Sequence, residues 1–128
     1  MAALPADLRA VLKPITKYTD NVAGGSGNVE ANVTATIDYL PLLAEYEIFG
    51  SKTYANDYEK NKQAQYAYYT AGNSKKKYKH SDTGSSCYWW ERSPYYSSNN
   101  YFCIVNTGGG AGSSYAYRSY GLAPAFLV

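Results

Sequence analysis

Residues that could carry out acid–base or metal chemistry are few in this chain and poorly spaced for it. The one histidine, His80, lies in the lysine-rich stretch KKKYKH, and the two cysteines, Cys87 and Cys103, form no Cys-x-x-Cys motif. Protein zinc sites are built from a compact set of cysteine and histidine ligands, which this sequence lacks. A Ser-His-Asp triad around a histidine among lysines is equally weak. We predict no catalytic site, no metal and no cofactor.

Two pairs of charged residues and one glycine run remain as candidates. The run GGGAG lacks the GK[ST] ending of a phosphate-binding loop and the glycine spacing of a dinucleotide site. Glu45 and Glu47, two positions apart, point to different faces of a helix or a strand, so we predict structural roles for both. Arg92 follows Glu91 within WWERSP, and an arginine there can bond backbone carbonyls or a carboxylate. We predict a semi-buried structural ion pair; the functional alternative is the floor of a ligand site.

Size and charge exclude several classes of function. The 128 residues fit one domain, 1–128. A net charge of +2 is too small to indicate nucleic-acid binding, and no apolar stretch is long enough for membrane insertion. The N-terminal residues have no continuous apolar run, so they do not read as a secretory signal. KKKYKH, residues 75–80, is predicted to be a solvated loop; a polyanion site is the alternative, but no second basic cluster supports it.

The segment from Tyr95 to Tyr120 has a composition of its own. It contains six Tyr, five Ser, four Gly and three Asn, and it lacks Lys, Glu, Gln, Met and Trp. Tyrosine gives rigid contact area, and Ser, Gly and Asn give adaptable hydrogen bonds, as in antibody loops. With 16 Tyr in the chain, a tyrosine-rich core is the alternative. We predict a binding surface on a rigid frame.

The residue types of this segment share a property of their codons. Each can be encoded by a triplet ending in a pyrimidine, whereas all five missing types require a purine there. Asparagine codons of the form AAY, with their adenines replaced at random, yield this repertoire without a stop codon. Residues such as Phe102, Cys103, Val105, Ala111 and Ala116 are interspersed as fixed positions.

The chain resembles the variable proteins of diversity-generating retroelements found in gut phages and bacteria. The matching stretches are YLPLLAEYEIFGS, QAQYAYYTAGNSKKKY, WWERSP, FCIV and GLAPAFLV, over roughly residues 39–128. In that family a reverse transcriptase scrambles template adenines, and the copy replaces the 3′ end of the target gene. The resemblance implies a C-type-lectin-like fold, with a small antiparallel sheet, two helices and neighbouring termini. It does not imply calcium or calcium-dependent sugar binding, because the motifs of calcium-binding lectins are absent.

The resemblance also implies which positions vary and bind ligand. They are Tyr96, Ser97, Ser98, Asn100, Tyr101, Ile104, Asn106, Thr107, Gly108, Gly110, Gly112, Ser113, Ser114, Tyr115, Tyr117, Arg118 and Tyr120. The expected partner is a macromolecule, protein or glycan, on a target cell, and the expected location is a phage tail or a bacterial surface. The alternatives are an invariant structural domain of a phage tail or surface protein, and an oxidase resembling the formylglycine-generating enzymes, which share the fold and need reactive cysteines.

The elements that must hold this surface are predicted from periodicity. Pro5 and the spacing of Leu8, Val11 and Leu12 predict a short helix that ends before Pro14. Residues 15–22 and 32–40 read as strands around a turn at 23–28, and residues 39–51 as a buried strand leading into a helical turn. Residues 56–72 read as an amphipathic helix, and SCYWWERS, NYFCIV and LAPAFLV as three strands.

The predicted class is therefore α+β with antiparallel strands. The predicted core comprises Leu42, Leu43, Ile48, Trp89, Trp90, Phe102, Val105, Leu122, Phe126 and Val128. We also predict that Cys103 is buried and that Cys87 is more exposed.

Overall fold

The computed structural model describes residues 3–22 and 25–128 and shows a small mixed α+β domain. Its α-helices are α1 (Ala6–Val11), α2 (Glu45–Phe49) and α3 (Ala67–Thr70), with 3₁₀-helices at Glu30–Asn32 and Asp57–Lys62. Its strands are β1 (Ile15–Asp20), β2 (Val33–Asp38), β3 (Lys77–Lys79), β4 (Asp82–Cys87), β5 (Trp89–Pro94), β6 (Tyr101–Val105) and β7 (Ala111–Tyr115). The predicted α+β class is confirmed. Of the predicted turn at 23–28, residues 23 and 24 lie outside the described residues.

The strands form three antiparallel sheets rather than the single small sheet that was expected. β1 pairs with β2, β3 pairs with β4, and β5, β6 and β7 form a three-stranded sheet in that order. The basic stretch KKKYKH is therefore not a simple loop, because Lys77–Lys79 pairs with β4 in a hairpin. Among the described residues, no helix has both the length and the apolar character needed to cross a bilayer.

The first helix is confirmed, but the helix predicted over residues 56–72 is wrong. That stretch contains a 3₁₀-helix and the short α3. Residues 63–66, which are not helical, separate the two. The Tyr66 N–H donates to the Glu47 carbonyl at 2.9 Å, and Gln65 Nε2 donates to the Ile48 carbonyl at 3.0 Å. These bonds attach the middle of the stretch to α2, so backbone groups that a continuous helix would use are engaged elsewhere.

The segments at 39–51 and at the C-terminus also differ from prediction. The predicted helical turn forms as α2, but residues 39–44 directly before it form no strand. Residues 122–128 form no strand either. The last residues are instead held by single contacts: the Ala125 N–H donates to the Pro41 carbonyl at 2.8 Å, and the Lys13 N–H to the Leu127 carbonyl at 2.8 Å. Pro124, which has no N–H to donate, interrupts any ladder there. The third strand of the large sheet is β7, from the Gly/Ser/Tyr segment.

The core lies between α2, α3 and the inner face of β5 and β6. Its buried residues are Leu43, Ile48, Tyr69, Trp89 and Val105. Four predicted core residues are exposed: Phe102 at 39%, Leu122 at 70%, Phe126 at 50% and Val128 at 59%. Phe102 points away from the core because side chains alternate along a strand and its neighbour Cys103 points in; the other three belong to the irregular C-terminus. Leu42 and Trp90 are half-buried.

Candidate ligand-binding surface

A chain of tyrosine rings in mutual contact runs across one side of the domain. It comprises Tyr54, Tyr95, Tyr96, Tyr101, Tyr115 and Tyr117, and is called the tyrosine ladder below. Ring centroids are 5.3 Å apart for Tyr54–Tyr95, 6.1 Å for Tyr95–Tyr101, 4.4 Å for Tyr101–Tyr115 and 5.1 Å for Tyr115–Tyr117. The pairs alternate between edge-on and stacked arrangements, which are the favoured geometries of aromatic pairs.

Strand pairing fixes the centre of the tyrosine ladder. Tyr101 on β6 lies opposite Tyr115 on β7, and cross-strand neighbours of this kind bring their rings into contact. Beyond β7, the Ala116 N–H donates to the Asn100 carbonyl at 2.9 Å, which holds the strand end near the preceding loop. The two rings therefore have positions set by the backbone rather than by a flexible loop.

Backbone hydrogen bonds also hold the other end of the tyrosine ladder. The Tyr95 N–H donates to the Tyr101 carbonyl at 3.1 Å, and the Tyr96 N–H to the Tyr54 carbonyl at 2.9 Å. The N–H groups of Gly25 and Gly27 donate to the carbonyls of Tyr95 and Tyr96 at 3.2 Å and 2.9 Å. Although the segment is rich in Ser, Asn and Gly, its backbone is thus bound on both sides, as a pre-organised surface requires.

Two rings of the tyrosine ladder, those of Tyr96 and Tyr117, each lie beneath a cation. Lys52 Nζ is 4.4 Å from the ring centroid of Tyr96, and the Arg118 guanidinium carbon is 5.3 Å from that of Tyr117. Both contacts are within the range of cation–π attraction. A hydrogen bond with the Tyr115 side chain raises the pKa of the Tyr101 hydroxyl above its usual value, so this hydroxyl remains a neutral hydrogen-bonding group.

Tyr120 belongs to a second aromatic group rather than to the tyrosine ladder. Its ring centroid is 5.0 Å from that of Tyr88 and 4.9 Å from that of Trp90, and its hydroxyl lies 3.0 Å from Ser114 Oγ. Tyr120 is half-buried, whereas Tyr117 is 72% exposed. Tyr120 therefore has a packing role as well as an exposed edge.

The remaining predicted ligand-binding positions are mostly accessible, with one exception. Ser97, Asn100, Gly108, Tyr115, Tyr117 and Arg118 are exposed, and the other predicted positions are half-buried except for Ile104. Ile104 is only 4% exposed and lies opposite Trp90 and Gly112 in the sheet, so it is not available to a ligand. A Cβ at Gly112 would approach Ile104 Cγ1 to 3.2 Å, which restricts what can replace that glycine.

Asn106 serves the β6–β7 turn instead of facing outwards. Its Oδ1 accepts the N–H groups of Gly108 and Gly110, each at 2.9 Å, and its carbonyl accepts the Gly109 N–H at 2.9 Å. Gly109 has a φ of 86°, in the region that favours glycine. The predicted role of Asn106 as a ligand-contacting amide is therefore replaced by a role in shaping the turn.

Buried acidic residues support the surface from below. Glu45 Oε1 accepts the N–H groups of Tyr54 and Ala55 at 3.0 Å and 3.2 Å, which orients the loop that carries Tyr54. Glu59 accepts a hydrogen bond from the Ser93 hydroxyl at 2.6 Å and from the Asp20 N–H at 2.9 Å. The structural role predicted for Glu45 is confirmed by these contacts.

Arg92 forms the predicted structural ion pair, but with a different partner. Its Nη1 lies 2.6 Å from Glu47 Oε2 and donates to the Leu42 carbonyl at 3.0 Å, while Lys17 Nζ lies 2.6 Å from Glu47 Oε1. Burial alone would raise the pKa of Glu47, but hydrogen bonds and charge from Arg92 and a hydrogen bond from Lys17 outweigh it and lower that pKa. Glu91, the neighbour in sequence, points to the opposite side.

Glu91 is buried with both carboxylate oxygens unpaired among the described residues. One ligand atom each of Glu91, Glu45 and Cys103 lie within 4.8 Å of one another, so these residues are the ones that could together meet a metal ion. However, Glu45 already accepts backbone N–H groups, and burial raises the pKa of the Cys103 thiol well above its usual range, which disfavours the thiolate that binds metals. The backbone hydrogen bonds to Glu45 and the raised pKa of the Cys103 thiol therefore disfavour a metal ion at this cluster.

Sequence reasoning missed three members of this surface. Tyr95 was within the segment but not among the predicted positions, and Tyr54 and Lys52 lie far from it along the chain. The stretch SKTYAN gives no periodic signal that would place it beside residues 95–96. Only the backbone bond between Tyr96 and Tyr54 reveals the connection.

Comparison with known proteins gives one match. A family model described as "Domain of unknown function (DUF6273)" matches residues 1–128. No curated protein and no solved structure matches the chain.

Proposed function

Since the chain belongs to the DUF6273 family, whose description assigns no activity, we propose its function from its surface: it is a non-catalytic module that binds a macromolecular ligand. The tyrosine ladder is the contact area, and Arg118 and Lys52 are charged anchors at its ends. Tyrosine and arginine are enriched among the residues that dominate binding energy.

One observation carries this proposal: the rings of the tyrosine ladder are exposed or half-buried, while the backbone beneath them is hydrogen-bonded on both sides. A tyrosine-rich core would bury its rings, yet Tyr69 alone among the 16 tyrosines is buried. Aromatic area held in place on a surface costs little ordering entropy when a partner binds.

The burial of Cys103 supports a binding role over the oxidase alternative. Cys103 is fully buried, and burial raises the pKa of its thiol, so the reactive thiolate is disfavoured. Cys87 is half-buried, and neither cysteine is in a disulfide. A cysteine oxidase would need an accessible, reactive thiol at its site.

The proposal includes diversification of this surface by a retroelement and a C-type-lectin-like fold. The codon-compatible segment supplies β6, the β6–β7 turn, β7 and the loops beside them, so changes there alter side chains on a fixed sheet. The antiparallel bridge between Lys13 and Leu127 brings the backbone at residue 13 beside the C-terminal residues, and this proximity supports the proposed lectin-like fold. A phage tail or bacterial surface is the proposed location, and a protein or glycan on a target cell is the proposed ligand.

A matched pair of triple variants tests the binding surface. Labelled Tyr101→Ser/Tyr115→Ser/Tyr117→Ser protein should lose binding to intact bacterial cells that the unaltered chain stains in flow cytometry. The control, Tyr39→Ser/Tyr58→Ser/Tyr68→Ser, removes three exposed tyrosines elsewhere and should bind normally. Equal staining by both variants and the unaltered chain would place the contact surface away from the tyrosine ladder.

Sequencing the gene from several isolates tests the diversification. Substitutions should concentrate at template adenines within codons 95–120 and spare Phe102, Cys103 and Val105. Changes spread evenly along the gene would contradict retroelement diversification. The binding surface is tested separately, by the triple variants.

A further inference from the structure

A cleft of about 670 Å³ lies between the β3–β4 hairpin and the predicted variable segment. The hairpin contributes Lys77, Tyr78, Lys79 and His80, and the segment contributes Thr107, Ser119 and Tyr120. Tyr88 and Trp89 lie between the two walls. The cleft thus joins residues outside the variable segment to residues within it.

The charge of this cleft is of one sign. No Asp or Glu lines it, whereas two lysines and the only histidine do. Within residues 3–22 and 25–128, neither Lys77 nor Lys79 is in a salt bridge. Asp82 lies opposite Lys79 in the hairpin and is attracted to its charge, but Asp82 is exposed and does not line the cleft. Its oxygens accept hydrogen bonds from the Gly84 N–H and the Ser85 hydroxyl. Clefts lined by one sign of charge attract ligands of the other sign.

The rest of the lining is aromatic and hydroxyl-bearing. Tyr78 is 53% exposed and Tyr88 is 39% exposed, and the ring of Tyr88 lies 5.0 Å from that of Tyr120. Lys77 Nζ lies 5.0 Å over the Trp89 ring, which keeps its ammonium at the cleft. Ser86, Ser119 and Thr107 add hydroxyl groups. Flat rings beside hydroxyl donors and acceptors suit the face and the rim of a sugar ring, and the ammonium groups suit an acidic substituent.

We infer that this cleft binds an acidic saccharide, with its carboxylate or sulfate group at Lys77 and Lys79 and its sugar ring against Tyr78, Tyr88 and Tyr120. The inference rests on the proposed function, because it names the ligand class for a cleft lined in part by the predicted variable residues Thr107 and Tyr120. The basic hairpin recognises the acid group, and Thr107 and Tyr120, both predicted to vary, select among the sugars that carry it.

An acidic peptide is less suited to this lining. The cleft offers ring faces and hydroxyl groups around one charged wall, which match a sugar ring and its acid group more closely than the extended backbone of a peptide. Nucleic acid is disfavoured because the net charge is only +2 and the basic residues that line the cleft all belong to one hairpin. Both classes serve as comparison ligands in the test.

The test measures binding of the whole chain to immobilised polymers by biolayer interferometry at low and high NaCl. Polygalacturonate carries carboxylates, dextran sulfate carries sulfates, and neutral dextran carries neither. Polyglutamate is the acidic peptide, and double-stranded DNA is the nucleic acid. The variant Lys77→Gln/Lys79→Gln removes the charged wall. The control Lys13→Gln/Lys60→Gln removes two exposed lysines that do not line the cleft. The double variant also removes the contact between Lys77 and the Trp89 ring, which can lower its melting temperature. Lys79→Glu, which reverses one exposed charge and keeps Lys77, replaces the double variant in that case.

Binding to either acidic polysaccharide, weakened by salt, is expected, and the polymer preferred identifies carboxylate or sulfate as the acid group. The cleft variants should weaken it at least about tenfold, and the control by less than about twofold, where tenfold corresponds to about 1.4 kcal/mol. Equal binding by the cleft variants and the control would overturn the inference, as would equal or tighter binding to neutral dextran, polyglutamate or DNA. Because Tyr101, Tyr115 and Tyr117 do not line the cleft, failure here is separable from failure of the tyrosine-ladder experiment.

Discussion

Three buried glutamates show how differently one residue type behaves according to its neighbours. Glu45 is satisfied by backbone N–H groups, Glu59 by Ser93 and the Asp20 N–H, and Glu91 by no hydrogen bond among the described residues. Burial raises the pKa of Glu91 well above its usual value, and nearby Glu45 and Glu59 raise it further. Glu91 is therefore the least favourable residue of the interior at neutral pH.

Replacing Glu91 with an apolar residue of similar size should stabilise the domain. Glu91→Leu removes an unpaired buried carboxyl group, so at pH 8 the free energy of unfolding should rise by about 1–3 kcal/mol. Urea denaturation measures this directly. As a control, Glu30→Leu at an exposed position should change the free energy by less than about 0.5 kcal/mol. A Glu91→Leu protein less stable than the unaltered chain would mean that the carboxyl has a partner or a function.

Glu59 should make stability depend on pH near neutrality. Burial raises its pKa to about 7 from an ordinary 4.5, so the folded state holds this proton more tightly than the unfolded state. The protonated Glu59 contributes on the order of 3 kcal/mol to the free energy of unfolding. This contribution is fully present below pH 4.5 and is lost as the pH rises through 7. Unfolding measured from pH 4.5 to 8 should show this decline. Glu59→Gln should reduce its slope, and the remaining slope belongs to Glu91, whose pKa is also raised. An unchanged slope in Glu59→Gln would assign the titration to another group.

Sequence patterns predicted some residue roles and missed others for a physical reason. The bonds from Arg92 to carbonyls and a carboxylate were predictable from the chemistry of a guanidinium in an apolar stretch. Its partner Glu47 was not, because the ion pair joins residues 45 positions apart and depends on how α2 packs against β5. The burial of Ile104 was missed because the resemblance placed it among the variable positions, although its neighbours Cys103 and Val105 were predicted to be buried.

At the scale of elements, the β6–β7 hairpin turn is the point on which the predicted binding surface depends. Gly109, at a φ of 86°, allows the turn that brings Tyr115 opposite Tyr101. Gly109→Ala should therefore lower the free energy of unfolding by about 1 kcal/mol or more. The neighbouring Thr107→Ala, which alters no backbone requirement, is the control, and both are measured by urea denaturation. Equal stability of the two variants would show that the turn tolerates a side chain at position 109.

Strand β7 was missed because its stabilisation comes from the backbone. Residues Ala111–Tyr115 lack the alternation of apolar and polar side chains that marks a strand, yet each pairs in register with β6. The C-terminal GLAPAFLV has the apolar character of a strand but makes isolated backbone contacts. A hydrophobic pattern indicates whether side chains prefer the core or solvent. The pairing of β6 with β7 is set instead by the hairpin turn between them.

At the scale of the whole molecule, two aromatic substitutions separate the observed core from the predicted one. Trp89 is 1% exposed and belongs to the core. Trp89→Ala should therefore lower the free energy of unfolding by about 3–5 kcal/mol. Phe126, which was predicted to belong to the core, is 50% exposed, and Phe126→Ala should cost less than about 1 kcal/mol. Thermal unfolding of both variants is the measurement. A larger loss in Phe126→Ala would mean that the C-terminal residues pack more closely than their exposure indicates.

The adjacent positions of Trp89 and Trp90 give the domain a built-in optical reporter. They are its only tryptophans, and both lie outside residues 95–120. Trp89 lines the basic cleft under Lys77, and Trp90 contacts Tyr120, whose ring can pass excitation energy to it. Intrinsic fluorescence should therefore change when the cleft is occupied, without a label. Neither tryptophan is in the predicted variable segment, so their emission would be retained if residues 95–120 vary as proposed, whereas the energy transfer to Trp90 requires Tyr120.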